Sequence, residues 1–199
     1  MDLEKILKIP GWIFEDDIKA IQEISKSLPD AGVILEIGSA FGRSAVTWAQ
    51  ANPNLVIWCI DRFEGKDPEM NPERHQELFN ENTSEYMNIT SEKGVFSKEF
   101  ELDSFLDPGK FIPFAEGEDH PGIDPNQRIH CVFYDADHSI GKTKEALDYF
   151  KGFDIPILCI DDYGNKEYPW IQQEVWDYCE QTNRTLQIFE DSKIVALIK

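Results

Sequence analysis

The chain has 199 residues, 19 of them Lys or Arg and 38 Asp or Glu, for a formal net charge of −19. Its 41% hydrophobic and 12% aromatic content excludes general disorder and supplies a core that needs neither disulfides nor metals. The charge repels phosphate backbones, which argues against nucleic acid as partner or substrate, and no apolar run reaches the ~20 residues of a membrane span.

The length predicts one domain over residues 1–199, with the oligomeric state left open, a homo-oligomer included. Met1 to Lys5 carries no apolar signal region. Cys59, Cys131 and Cys159 lie in apolar runs, Cys179 lies in a helical stretch, and none forms a CxxC pair. A reduced cytoplasmic setting, with these cysteines as small core residues, is the expectation.

In chain order, Phe14–Leu28 spaces Ile18, Ile21, Ile24 and Leu28 as a helix, which Pro29-Asp30 ends. The strand Val33–Glu36 follows, then the turn Gly38-Ser39-Ala40-Phe41-Gly42 and a helix from Arg43 to about Ala51. Leu55–Asp61 is a second strand, and Asn71-Pro72 opens a helix over Glu73–Asn82. The segment 104–128, with four prolines, reads as a long insertion or lid loop. Cys131–Asp135 and Ile157–Asp161 are buried strands around a helix at Lys142–Phe150. A helix at Pro169–Gln181 precedes two strands, Thr185–Glu190 and Lys193–Ile198, separated only by Asp191-Ser192 as in a hairpin. Continuous apolar strands spaced by helices predict an α/β fold, a mostly parallel, doubly wound sheet with a C-terminal antiparallel hairpin.

Four strands end in acids: Glu36, Asp61, Asp135, and the pair Asp161-Asp162. Ligands of open parallel sheets bind outside the carboxyl ends of the strands, so the topology gathers these acids along one crevice. Five carboxylates there raise one another's pKa values unless a cation balances them. The turn after the first strand is E-x-G-x-x-x-G, with Ala40 where a dinucleotide fingerprint needs its second glycine for a pyrophosphate. Asp61 is placed to accept two ribose hydroxyls, and an adenosyl group bearing a positive sulfonium suits a pocket this acidic.

Together, Ile9-Pro10-Gly11-Trp12-Ile13, Leu35–Gly42 with Arg43-Ser44, Ile60-Asp61, Phe133–Ser139 and Ile160–Tyr163 resemble the class I S-adenosylmethionine-dependent methyltransferases. The resemblance is closest to the metal-dependent sugar and catechol O-methyltransferases. It implies a Rossmann-like sheet of seven strands and methyl transfer to a hydroxyl of a small molecule, a sugar or catechol-like diol. It implies that Glu36, Gly38, Ser39, Gly42 and Ser44 line the methionine side, that Asp61 holds the ribose, and that Ser97 lies by the adenine. No strand is predicted before Gly94–Ser97, which departs from the family pattern.

Asp135, Asp161 and Asp162 are hard oxygen donors of the kind that suit Mg²⁺, and in the resembling enzymes the matching acids hold that ion. A hydroxyl is a poor nucleophile near neutral pH, so a base is required, and His138, one turn beyond Asp135, is the expected one. His75, His120 and His130 are read as structural or solvated.

Two other readings compete. Ala136–Thr143 resembles a relaxed phosphate-binding loop, A-x-x-x-x-G-K-T, which points to a nucleotide hydrolase or kinase. Its first glycine is replaced by alanine, and Asp135 and Asp137 repel anions. The third reading is a catalytically inactive cofactor-binding subunit.

Overall fold

The computed structural model describes residues 1–64, 72–96 and 129–199; the 104–128 insertion, Ser97 and His120 lie outside the described residues. The strands are β1 (Val33–Ile37), β2 (Val56–Asp61), β3 (Ile89–Lys93), β4 (Ile129–Tyr134), β5 (Ile157–Ile160), β6 (Thr185–Ile188) and β7 (Val195–Ile198). They form one sheet in the order β3-β2-β1-β4-β5-β7-β6. β1 to β5 run parallel, while β7 pairs antiparallel with both β5 and β6. The chain builds outward through β1, β2 and β3, then returns to lay β4 on the other side of β1. The β1–β4 boundary is therefore the switch point at which open α/β sheets form a crevice.

The described helices are α1 (Leu3–Lys8), α2 (Glu15–Ser27), α3 (Arg43–Ala51), α4 (Pro72–Thr83), α5 (Lys142–Phe150) and α6 (Pro169–Thr182). Successive strand residues point to opposite faces of the sheet. Ile34, Cys59 and Phe133 accordingly pack with Ile18 and Ile21 of α2 and Val46 and Trp48 of α3. Leu35, Trp58 and Tyr134 pack on the other face with Leu147 and Phe150 of α5 and Ile171 and Val175 of α6. All four cysteines are free and buried. Among the described residues no helix is long and apolar enough to cross a membrane.

The predicted α/β, mostly parallel, doubly wound sheet is the one observed, with three local differences. Helix α1 has no counterpart in the predicted elements. β3 was not expected because its sequence, Ile-Thr-Ser-Glu-Lys, has one apolar residue and lies half-buried at the sheet edge. An edge strand needs little apolar surface once β2 supplies its hydrogen-bond partners.

The terminal pair is antiparallel as expected, but it is not a two-residue hairpin: residues 189–194 connect β6 to β7, and β7 is inserted between β5 and β6. The physical reason is Asp17 of α2. Its Oδ1 accepts the Ser192 hydroxyl at 2.8 Å and the Lys193 backbone N–H at 3.0 Å. The Lys193 carbonyl in turn accepts the Tyr163 N–H at 2.8 Å. These bonds tie residues 192–193 to α2 and to the end of β5, while the Ser192 N–H also closes a turn onto the Phe189 carbonyl at 3.3 Å.

Candidate active site

Two groups of polar residues sit at the carboxyl ends of the central strands, one at the glycine turn between β1 and α3 and the other across β4, β5 and the start of β7. In the first, Glu36 is fully buried; its Oε1 lies 3.8 Å from the Cys59 thiol and its Oε2 has no hydrogen-bond partner. Burial pushes the Glu36 carboxyl up to about 7, and the Asp61 charge reinforces it. Ser39 is buried as well, and its Oγ lacks a partner.

Backbone geometry explains the glycines of the turn. Gly38 has φ +93°, and a Cβ there would meet the Asp135 carbonyl at 1.8 Å. Its N–H donates to the Ile60 carbonyl at 2.8 Å. Gly42, at φ +88°, opens α3 against Phe79 and Thr83 of α4. Both glycines are thus required by contacts within the chain. Ala40 stands where the dinucleotide pattern has glycine, and it is held in the left-handed region at φ +46°, a strained conformation of the sort found at ligand-binding turns. Its N–H donates to Asp61 Oδ2 at 2.8 Å, while Asp61 Oδ1 accepts the Phe63 N–H at 2.6 Å. Each Asp61 oxygen keeps a second lone pair for a ligand. The turn therefore brings Glu36, Gly38, Ser39, Gly42, Ser44 and Asp61 together at the ends of β1 and β2.

The second group has a different occupant from the one expected. Lys193 Nζ lies 2.9 Å from Asp161 Oδ2 and 3.1 Å from Asp162 Oδ1. Burial opposes the Lys193 charge, but the Asp161 and Asp162 carboxylates hold it well above the ordinary lysine value. His138 is buried, with Nε2 3.2 Å from Asp135 Oδ1 and Nδ1 3.2 Å from Asp162 Oδ2. Its ring stacks on Tyr168 with centroids 5.0 Å apart, and its carbonyl accepts the Trp170 indole N–H at 2.9 Å. Asn165 donates to Asp162 Oδ1 at 2.9 Å, and Asp162 itself sits at φ +58°. Burial pushes the Asp135 carboxyl up to about 7, with the Lys193 charge working against it.

Among the described residues no group of three or more His, Cys, Asp or Glu is arranged to hold a metal. Asp135, Asp161 and Asp162 do not fit Mg²⁺ as they stand, because both oxygens of Asp162 and one of Asp161 already face an ammonium, an amide or an imidazole. Each ring nitrogen of His138 faces a carboxylate, Asp135 on one side and Asp162 on the other, which is the flanked setting the sequence suggests for it.

Lys193 is the functional candidate that the sequence reading missed. Its signal lay in the register. With Ile160 opposite Val195, continuing the antiparallel count sets Asp162 opposite Lys193.

The phosphate-loop reading fails on geometry. In such a loop the first amides of the following helix cradle phosphate. Here the Gly141 and Lys144 N–H groups at the start of α5 donate to Glu174 Oε1 and Oε2, each at 2.9 Å, so a carboxylate of α6 fills the cradle. The two described histidines left over are structural. His75 lies buried between Phe41 and Phe63, and His130 Nδ1 accepts the Val33 N–H at 3.1 Å.

No protein-family model matches the chain, and no curated protein matches it in sequence. Solved structures do match. A TDP-rhamnose 3'-O-methyltransferase of calicheamicin biosynthesis superposes with TM-score 0.58 at 18% identity, over 91% of this chain and 76% of that one. The O-methyltransferase TomG from Streptomyces achromogenes, solved with S-adenosylmethionine, gives 0.58 at 16% identity over 100% and 91%. This is the class I methyltransferase fold. A putative rRNA methylase from Clostridium thermocellum matches as well, with TM-score 0.55 at 12% identity over 94% and 100%. Proteins of one fold thus differ widely in what they act on, and the fold alone assigns no substrate.

Proposed function

We propose that the chain is a cytoplasmic S-adenosylmethionine-dependent O-methyltransferase acting on a hydroxyl of a small molecule. The observation that carries this reading is the glycine turn, where the buried Glu36 Oε2 and Ser39 Oγ have no partner and Asp61 lies within hydrogen-bond reach of the same turn. Buried polar atoms are costly to leave unpaired, and two of them beside a strained turn, in this fold, fit a cationic adenosyl ligand. Ser39, Ser44, Gly38 and Gly42 would line its methionine side over the Glu36 charge. Asp61 would take the ribose hydroxyls on the lone pairs that Ala40 and Phe63 leave.

When bound, S-adenosylmethionine supplies a methyl group on a positively charged sulfur. The chain's own part is alignment and proton removal. Asp135 is the more open end of its pair with His138, with 23% side-chain exposure against 9%. An acceptor hydroxyl gives its proton to Asp135 Oδ1, and His138, backed by Asp162, shares the charge. A carboxyl poised near 7 is suited to this exchange at neutral pH. The net charge of −19 favours a small-molecule acceptor over a phosphate backbone, and the four free, buried cysteines fit a reducing compartment.

Calorimetric titration of the protein with S-adenosylmethionine, S-adenosylhomocysteine and ATP tests the reading. Micromolar binding of both adenosyl-sulfur ligands without ATP binding is expected. ATP binding in their place would sink it.

A further inference from the structure

The cation that balances the acid crevice belongs to the chain itself. Lys193 is held there by three independent constraints. The antiparallel pairing of Ile160 with Val195 sets its place in the sheet. Its N–H donates to the buried Asp17, and its carbonyl accepts the Tyr163 N–H. Its ammonium then reaches Asp161 Oδ2 and Asp162 Oδ1 at 2.9 and 3.1 Å, with only 22% of the side chain exposed. Asp161 Oδ1, the remaining oxygen of that carboxyl, is buried with no cation or amide against it, and burial together with the neighbouring Asp135 charge pushes Asp161 well above the ordinary carboxylate value against the pull of Lys193.

We propose that Lys193 is the resident cation of this crevice, doing in place of a divalent metal the work of charge balance and of holding the acceptor oxygen. A divalent ion entering here meets an ammonium already bound to two of the three carboxylates it requires. The lysine cannot withdraw without leaving Asp161 buried and unpaired, which is the more costly arrangement. An ammonium has three N–H donors; two are spent on Asp161 and Asp162, leaving one for a single ligand oxygen where a metal would chelate two. The acceptor class that follows is a lone hydroxyl, with no vicinal diol required. The metal part of this proposal stands on geometry alone; the acceptor part rests on the methyl-transfer reading.

The test is a Mn²⁺ titration at about 150 mM salt, which screens surface carboxylates, followed by electron paramagnetic resonance of free Mn²⁺. The wild-type chain is expected to show no stoichiometric site below millimolar concentration. Lys193→Met is expected to open one, at least tenfold tighter, that Asp161→Asn in the same background removes. A stoichiometric micromolar site in the wild-type chain, abolished by Asp161→Asn, would overturn the proposal, and that measurement needs no lysine variant to fold. S-adenosylhomocysteine binding measured on the same wild-type sample separates the two claims. If it is absent, the methyl-transfer reading and the acceptor part fall, while the Mn²⁺ result still decides the nature of the cation.

Discussion

The glycine turn and the acid crevice lie side by side at the ends of adjacent strands, and both are rich in buried carboxylate, yet they treat it in opposite ways. At the turn, Glu36 Oε2 and Ser39 Oγ are buried without partners. In the crevice, Lys193, His138 and Asn165 together engage both oxygens of Asp162, one of Asp161 and one of Asp135. The first region is built incomplete, and the second is nearly complete within the chain. An acid-rich crevice therefore does not by itself imply a metal; what matters is which carboxylates the fold has already paired.

The comparison breaks most severely at Gly38, the point where the two regions touch. A methyl group there meets the Asp135 carbonyl at 1.8 Å on a backbone with φ +93°. Gly38→Ala is expected to cost about 4 kcal/mol from steric overlap and backbone strain combined, a large share of a typical folding free energy. Chemical denaturation reads it, and a loss under about 1 kcal/mol would show that β1 and β4 do not meet as described.

The next effect separates the unpaired acid from the paired ones. Glu36 has its folded-state pKa raised from 4.5 to about 7 by burial, so between those values the folded state binds the proton more tightly than the unfolded state does. Its contribution to stability is therefore greatest below about pH 4.5 and is lost as pH rises through 7, by on the order of 3 kcal/mol. Glu36→Gln is expected to remove this slope and to be the more stable protein at pH 8, with the two chains converging near pH 5. Thermal melts across that range check it, and parallel curves for the two chains would place the titration elsewhere.

The sequence displayed the turn better than the crevice for a physical reason. Glu36, Gly38, Gly42 and Asp61 are brought together by one β–α–β unit, so their relation is local and shows as spacing. Lys193 reaches Asp161 and Asp162 across 31 or more residues of chain, through a strand inserted between two others, and spacing does not carry that information. The final segments form the antiparallel hairpin that the sequence suggests, but its connection runs over residues 189–194, and Asp17, far away in sequence, ties down its end. The parallel sheet was legible from its apolar strands, and β3 was not, since an edge strand next to β2 needs no apolar run. The acids of the crevice were located correctly from the strand ends, but the partner of those acids was not visible.

Asp61 sharpens the turn side of the comparison. It ties the Ala40 and Phe63 amides and is proposed to hold the ribose. Asp61→Asn keeps one acceptor oxygen and loses the charge, so S-adenosylhomocysteine affinity is expected to fall roughly 10- to 100-fold, the equivalent of about 1.5–3 kcal/mol for a hydrogen bond to a charged group. Unchanged affinity by calorimetry would remove Asp61 from the cofactor site.

The smallest effect concerns the loop that resembles a phosphate cradle. Glu174 caps α5 from outside by accepting the Gly141 and Lys144 N–H groups, which is the work an N-cap side chain does within a helix. Glu174→Ala exposes those amides to water and removes a negative charge from the positive end of the helix dipole, so a loss of about 1 kcal/mol is expected in denaturation. The same variant gives the nucleotide reading its best chance, because the amides become available to an anion. Asp137 remains one turn away and is held below the ordinary carboxylate range by hydrogen bonding to Ser139, so it stays charged and repels phosphate. Glu174→Ala is therefore expected to lose stability without gaining ATP binding. Micromolar ATP binding by that variant would mean that the cradle is intact and that Glu174 alone kept it closed.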